Sequence, residues 1–386
     1  LSAKRVFIYV QHLLGIGHLK RAATLARAMA AEGLDVTLAS GGSPVPGVVS
    51  GGVRLVQLPP ACAADLEFKA LIDDAGREID AQWKRTRSET LLAAWRAADP
   101  DLLLLELFPF GRRQMRFELL PLLEAAAGAA RRPVIACSVR DILGGRKSPQ
   151  REEETLGLVE RYFDRILVHG DPSLIGFERS FPLAARIAGR IEYTGYVVDA
   201  VQAAGSGTGE GEVVVSAGGG AVGGDLLEAA IRAKPLTALR DRNWRLLAGN
   251  NLPDGDFQNL ARLAAGDAGI ALERSRPDFR TLLANCELSV SQAGYNTLME
   301  TVQARARCVA VPFAGGHETE QTLRARCFAE RGLLELVEEG GLNPGALAAA
   351  IDRAARKPRP AACAVDLDGA RRSAALVAGL AAGSSA

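Results

Sequence analysis

Short Val-, Ile- and Leu-rich runs alternate with Ala/Leu/Arg stretches of helical period along the 386 residues of this chain, and they do so in two successive series. A parallel strand buried on both faces reads as a short continuous apolar run, and its parallel neighbour is reached through a crossover helix. The alternation therefore points to an α/β chain of doubly wound parallel sheets. In the first half, the runs at 5–10, 35–39, 54–58, 102–105, 134–138 and 165–168 are expected strands, with helices over 19–32 and 88–98 among the segments between them. The pattern then starts over, with strands expected at 212–216, 244–248, 269–272, 288–291 and 307–311.

Between the two series, residues 199–211 combine small side chains with repeated glycines, which offer little to pack and much backbone freedom. This segment is the expected hinge. It divides the chain into an N-terminal Rossmann-like domain over 1–198 and a second one over 212–364, with a C-terminal helix and tail over 365–386. A hydrophobic content of 48% is enough to give each domain its own core.

Charge and cysteine usage narrow the function. Lys plus Arg number 46 against 45 Asp plus Glu, so there is no basic field to recruit nucleic acid, and none is expected as a partner. The six cysteines show no C-x-x-C spacing, which suits reduced thiols of the cytosol better than a disulfide framework or a zinc site. The apolar run at 5–10 is ended by Gln11 and His12, and the run at 102–105 lies between Asp101 and Glu106. Both are too short for a signal peptide or a membrane span, so a cytoplasmic chain is expected.

The candidate site residues cluster where strands end. After the first strand, Gly15 and Gly17 allow a tight turn into a helix whose start carries His18, an imidazole suited to take a proton from an acceptor hydroxyl near neutral pH. A surface histidine at a helix start is the competing reading. The spacing departs from the dinucleotide fingerprint, because His18 to Arg21 stand where a third small residue belongs. Glu106 closes the fourth strand and leads into a segment rich in Phe and Arg that contains Arg112, while Arg140 and Asp141 close the fifth. Because ligands bind outside the carboxyl ends of strands in open α/β sheets, these four are acceptor-side candidates together with the glycine turn. The 106–117 segment suits an anionic acceptor or a lipid headgroup, or else a basic loop packed by its own Phe residues. His12 and His169 are expected to be structural, with His12 a second choice for acid/base work.

In the second half, Ser216 and Gly218, Gly219 and Gly220 follow a strand and precede a helix, so backbone amides can approach an anion closely there. The Lys-Ser/Thr of a phosphate-binding P-loop is missing. Two Asp-x-Asp strings, at Asp254 and Asp366, are expected as solvated turns, and no metal site is assigned.

The segment from Ser291 through Gly294 and Asn296 to Glu300, then a strand ending in Pro312, then Glu320 and Gln321, resembles the donor half of the glycosyltransferase family that contains the lipid II-forming N-acetylglucosaminyltransferase of peptidoglycan synthesis. Phe-Pro-Phe-Gly-Arg, Ser-Val-Arg-Asp, Val-His-Gly-Asp-Pro and Tyr-Thr-Gly-Tyr-Val resemble a bacterial group of predicted glycosyltransferases related to that family, and the likeness spans most of the chain. It implies the GT-B architecture: two Rossmann-like domains facing a cleft, with a nucleotide sugar, UDP-linked, held by the second. By this resemblance Glu300 bonds the donor ribose, and Glu320 and Gln321 read sugar hydroxyls. Ser216 and Gly218 to Gly220 lie near the pyrophosphate, while Ser291, Gly294 and Asn296 line the same pocket. The backbone of Arg276 contacts the base, and His18 faces the acceptor as base of an inverting, metal-independent transfer without a cofactor.

The family's glycine-rich loop has more glycines than Leu14 to Gly17, and Glu320 stands where the family has glutamine. The stretch from Gly15 to Ala22 also resembles the loop of a related UDP-sugar hydrolase, so hydrolysis or epimerisation of a nucleotide sugar is an alternative, and a non-catalytic nucleotide-sugar-binding subunit is another. The acceptor is left open between a small molecule and a lipid-linked one, the latter going with peripheral contact at the inner face of a membrane.

Overall fold

The computed structural model describes residues 3–13, 15–63, 70–145, 148–199, 207–218, 222–313, 315, 319–361 and 365–383. The chain forms two compact units, one made of Leu1–Val197 and Asp366–Ala386, the other of Val198–Val365.

The first unit contains β1 (Arg5–Val10), α1 (Gly17–Ala31), β2 (Asp35–Ser40), β3 (Arg54–Gln57), β4 (Cys62–Ala63), β5 (Leu71–Ile72), α2 (Ala81–Ala98), β6 (Leu102–Glu106), α3 (Arg116–Ala127), β7 (Val134–Arg140), α4 (Pro149–Tyr162), β8 (Arg165–His169) and β9 (Ile191–Tyr193). Seven of these strands make one sheet in the order β3-β2-β1-β6-β7-β8-β9, every pairing parallel, while β4 and β5 form a small antiparallel pair. The second unit contains β10 (Val213–Ser216), α5 (Gly224–Ala233), β11 (Trp244–Leu247), α6 (Asp254–Ala264), β12 (Ile270–Glu273), α7 (Phe279–Asn285), β13 (Leu288–Gln292), α8 (Tyr295–Gln303), β14 (Cys308–Val311), α9 (Glu320–Glu330), β15 (Glu335–Leu336) and α10 (Pro344–Arg356). Its parallel sheet runs β12-β11-β10-β13-β14-β15. The expected pair of doubly wound sheets is thus present, and all eleven expected strands are found. The two further sheet strands, β9 and β15, span three and two residues, too short to leave a pattern in the sequence.

Local chemistry sets several helix starts. The Asp80 side chain accepts from the Trp83 N–H and opens α2. Ser148 and Asn343 cap α4 and α10 in the same way, each followed by a proline at a position where the missing N–H costs nothing. Helix α2 begins seven residues before the expected 88, because its buried stripe is Arg87, Leu91, Trp95 and Ala98, and a charged residue occupies the stripe's first described place. Asp254 and Asp256 lie in the first turn of α6 rather than in a solvated turn, where carboxylates oppose the positive end of the helix dipole. Among the described residues no helix is long and apolar enough to cross a membrane.

Arg87 is the largest buried charge of the first unit, and all five of its N–H donors are used. Nε and one terminal nitrogen bond the two Glu118 oxygens at 2.7 and 2.9 Å, the same terminal nitrogen reaches Gln11 Oε1 at 2.6 Å, and the other serves the Gly41 and Pro59 carbonyls. Arg87 and Glu118 are both fully buried. The Tyr9 hydroxyl donates to Glu118, and burial with that neighbouring carboxylate pushes the phenol well above its usual range.

The last helix, α11 (Gly369–Gly383), returns to the first unit, where Ala374, Val377 and Ala381 join the core formed by Leu19, Ala22 and Leu25 of α1. Its entry is pinned by backbone bonds from Tyr196 N to Asp366 O and from Gly369 N to Tyr196 O. Asp366 accepts from the Asp368 N–H and pairs with Arg372, so the expected solvated turn is a docking point. A side chain at Gly369 would meet the Gly195 carbonyl oxygen at 2.3 Å.

Arg87→Met is expected to lower the stability of the first unit by about 3–5 kcal/mol, because it leaves Glu118 buried without its partner; Glu118→Leu added to it recovers part of the loss. Urea unfolding of the two variants checks this. Gly369→Ala is expected to cost about 1–3 kcal/mol, read in the same way, since the crowding atom is backbone and cannot rotate aside.

Candidate active site

In both sheets the strand order reverses once, between β1 and β6 in the first and between β10 and β13 in the second. The crevice outside the carboxyl ends of two such strands is where open α/β sheets bind ligands. Most of the sequence-derived candidates sit at or next to these two points.

In the first unit, the turn after β1 passes Gly15 and enters α1 at Gly17, so His18 stands in the helix's first turn. Glu106 is the last residue of β6, and Arg140 the last of β7 beside it. These three side chains form a line. His18 Nδ1 lies 2.7 Å from Glu106 Oε1, and Arg140 donates to His18 Nε2 at 2.9 Å. Arg21, one turn along α1 and buried, bonds the same Glu106 oxygen. A carboxylate accepts and a guanidinium only donates, so both contacts select the tautomer with the proton on Nδ1 and the lone pair on Nε2.

Electrostatics keep the ring neutral. Burial, reinforced by the Arg112 and Arg140 charges, outweighs Glu106 and brings His18 down to about 3. Burial alone favours the neutral acid at Glu106, but His18, Arg21 and Arg112 together hold that carboxyl well below the usual carboxylate range. The second oxygen of Glu106 is buried without a hydrogen bond among the described residues.

Arg112 takes a left-handed backbone conformation, φ 58°, and its Nε donates to the Gln11 carbonyl at 2.8 Å. The neighbouring arginines go elsewhere, Arg113 and Arg116 both pairing with Glu154. Phe108 is fully buried, and Phe110 packs edge-on against Phe177 and Phe181 at 5.4 and 5.1 Å. Two of the rings of 106–117 are thus packed into the unit, Phe110 against residues of 177–181 rather than against the segment's own side chains. Asp141 turns to the Ile142 N–H and the Tyr196 hydroxyl. His169 is buried between the Ser138 and Thr194 hydroxyls at 2.7 and 2.8 Å, and His12 is buried against Gly42.

In the second unit, Ser216 ends β10 and its hydroxyl accepts from the Gly218 N–H at 3.3 Å. Gly218 has φ 76°, the left-handed region that favours glycine; Gly219 and Gly220 lie outside the described residues. A side chain at Gly218 would face Gln292 Oε1 and Thr297 Oγ1 at 3.8 and 3.9 Å, so those two groups border the turn. Sequence reading passed over both, as it did Arg21; a polar residue closing an apolar strand was the only signal at Gln292. Gly294 caps α8 with open space where a side chain would be, and Asn296 and Glu300 follow in the helix, both half-buried.

Four further donor-side candidates have side chains engaged within the unit. The Ser291 hydroxyl pairs with Ser289 at 2.7 Å in the interior. Glu320, buried at the start of α9, bonds Arg324 at 2.9 Å, and that guanidinium lies over the Tyr295 ring. Arg276 forms a two-point bridge to Asp278 and also reaches Glu273, so its side chain is engaged; the contact expected of this residue is through its backbone. Gln321 accepts from the Phe313 N–H through Oε1 at 3.1 Å. A cavity of about 710 Å³ opens beside the turn, lined among others by Gly223, Gly224, Leu252, Gln292, Pro312 and Phe313.

Comparison with known proteins agrees with this architecture. Residues 214–370 match the model of the glycosyltransferase family 28 C-terminal domain. No curated protein sequence matches the chain. Among solved structures, the calicheamicin glycosyltransferase CalG4 superposes with a TM-score of 0.59 at 15% identity, over 99% of this chain and 95% of that one. MurG of Acinetobacter baumannii gives 0.57 at 14% identity, over 98% and 94%. Os79 from O. sativa, solved in complex with UDP, gives 0.63 at 14% identity, over 98% and 100%. With its two parallel sheets and a family 28 domain over 214–370, the chain is a glycosyltransferase of the GT-B fold, related to family 28.

Proposed function

We propose that the chain transfers a hexose-type sugar from a UDP-linked donor to an acceptor hydroxyl, with inversion, and that His18 is the base. The observation that carries this reading is the neutral imidazole fixed by Glu106 with its lone pair on Nε2 at the switch crevice of the first unit. A ring held in one tautomer by a carboxylate is arranged for general-base work, because the carboxylate also stabilises the imidazolium that forms.

In the proposed step, the acceptor oxygen bonds to the anomeric carbon while its proton passes to Nε2. The bond from that carbon to the leaving phosphate breaks, and the electron pair departs with UDP. Charge developing on the pyrophosphate is met by backbone amides at the Ser216–Gly218 turn and at the start of α8, so the route as written uses protein dipoles and no metal ion or cofactor. The open space outside Gly294 and the left-handed Gly218 support close approach of an anion at both places. The ribose role of Glu300 and the preference for UDP rest on the family resemblance; among the similar structures, Os79 is solved in complex with UDP and VinC in complex with dTDP.

Thermal unfolding against nucleoside diphosphates and nucleotide sugars tests the donor half. UDP or a UDP-sugar is expected to raise the transition, by about 2.7 kcal/mol at a hundredfold excess over its dissociation constant, and Glu300→Ala to remove the rise. No rise with any nucleotide at millimolar concentration would refute the donor site. His18→Gln is expected to slow transfer about 100- to 10,000-fold while leaving the UDP-induced rise intact. Because His18 stays neutral down to about 3, kcat/KM is expected to show no acid limb near pH 6.5; a limb there would assign the base to another group. Release of free sugar without acceptor, followed in the same assays, would turn the reading to hydrolysis.

A further inference from the structure

The lone pair of His18 is occupied. Arg140 donates to Nε2, and an imidazole nitrogen that already accepts a hydrogen bond cannot also take a hydroxyl proton. The inference that follows rests on His18 being the base, since a base covered in this way must be uncovered before each turnover.

The surroundings indicate what uncovers it. Three guanidiniums, Arg21, Arg112 and Arg140, gather around the ring against the single carboxylate of Glu106. Arg21 is buried and bound to Glu106, whereas Arg112 and Arg140 remain partly exposed. Arg112 donates to Gln11 through Nε, and its terminal nitrogens make no hydrogen bond or ion pair to any described residue. It is also held at a backbone angle that non-glycine residues seldom adopt, which is found where the surrounding structure fixes a side chain for use. The charges of Arg112 and Arg140 oppose one another, so a negative group shared between them removes a repulsion as well as forming bonds. A guanidinium prefers an oxyanion over an imidazole nitrogen, because the charge and the forked geometry both match.

We propose that Arg140 is a gate on His18 worked by an oxyanion: a phosphate or carboxylate taken up by Arg112 and Arg140 draws Arg140 off Nε2 and opens the lone pair to the acceptor hydroxyl. Arg140 is in this sense a positioning residue. The oxyanion belongs either to an acidic acceptor or to the donor's pyrophosphate. In both cases the base is exposed only when substrate is in place, which limits transfer to water.

The state of Nε2 can be read directly by nitrogen-15 NMR of histidine-labelled protein, since the chain has only four histidines and His18→Gln identifies the signal. In the free protein the signal is expected to be that of a lone pair in a hydrogen bond. Arg140→Met is expected to move it to the unbonded position, and inorganic phosphate to move the unmodified protein in the same direction. Arg112→Met is expected to raise the phosphate concentration required about 10- to 100-fold, the effect of losing one charge-assisted contact. Arg140→Lys, which keeps the charge and loses the fork, should retain the resting signal and bind phosphate more weakly. UDP gives the second arm: release of Nε2 by UDP, lost in Glu300→Ala, names the donor as the source, and release by phosphate but not UDP names the acceptor. An Nε2 signal unmoved at saturating phosphate and saturating UDP, or unchanged by Arg140→Met, overturns the gate. The readout needs no turnover, so it can fail while His18→Gln still abolishes transfer, and the reverse.

Discussion

The first unit is organised around one buried guanidinium. Arg87 lies in α2, yet its five donors reach the side chain at the end of β1, the carbonyls of two loops and a carboxylate in α3. Gln11, which receives one of those bonds, in turn holds the His12 and Ala61 carbonyls through Nε2, and its own carbonyl is the acceptor for Arg112. A line of hydrogen bonds therefore runs from the Arg87–Glu118 pair in the core to the arginine beside the imidazole. Gly41 is the cost of this arrangement, because any side chain there would overlap Arg87 and Gln11 at 2.2 Å. Desolvating two charges is unfavourable, and a fully satisfied pair in a rigid network is the condition under which proteins tolerate it.

The two sheets apply the same topological rule to different ends. At its reversal point the first sheet gathers charged and titratable side chains: an imidazole, a carboxylate and three guanidiniums. The second gathers little charge and much backbone, in a glycine turn after β10 and the start of α8 after β13. Proton transfer needs a side chain of defined protonation state, and the stabilisation of a diphosphate needs several weak dipoles that do not titrate. The division of labour proposed for the two units follows from that difference.

Much of this was legible in the sequence, and what was missed had physical reasons. The periodicity of buried parallel strands marked every long strand and the restart of the pattern. Strand ends pointed to His18, Glu106 and Arg140, which the structure brings into direct contact across 88 and 122 residues of sequence. Nothing local announced Arg87 or Glu118, since a charge inside an amphipathic helix reads as part of its wet face until its partner is known. The partners of Ser291 and Glu320 were equally hidden: Ser289 is two residues away on the same strand face, and Arg324 one turn along a helix, yet only burial shows that these short-range contacts form. The Phe and Arg residues of 106–117 admitted two readings because composition does not say which way a ring points.

The first unit is discontinuous in the chain, and the point of interruption is narrow. The chain leaves at Val197 and re-enters at Asp366, where the Tyr196 N–H bonds the Asp366 carbonyl at 2.8 Å. Exit and entry are thus one hydrogen bond apart, so the intervening 198–365 is attached like a module whose two leads emerge from a single socket. A segment of another length or binding preference whose own ends lie equally close could be exchanged there without redrawing a strand of the first sheet. Under the proposed function, the architecture separates the evolution of what is transferred from the machinery that accepts it.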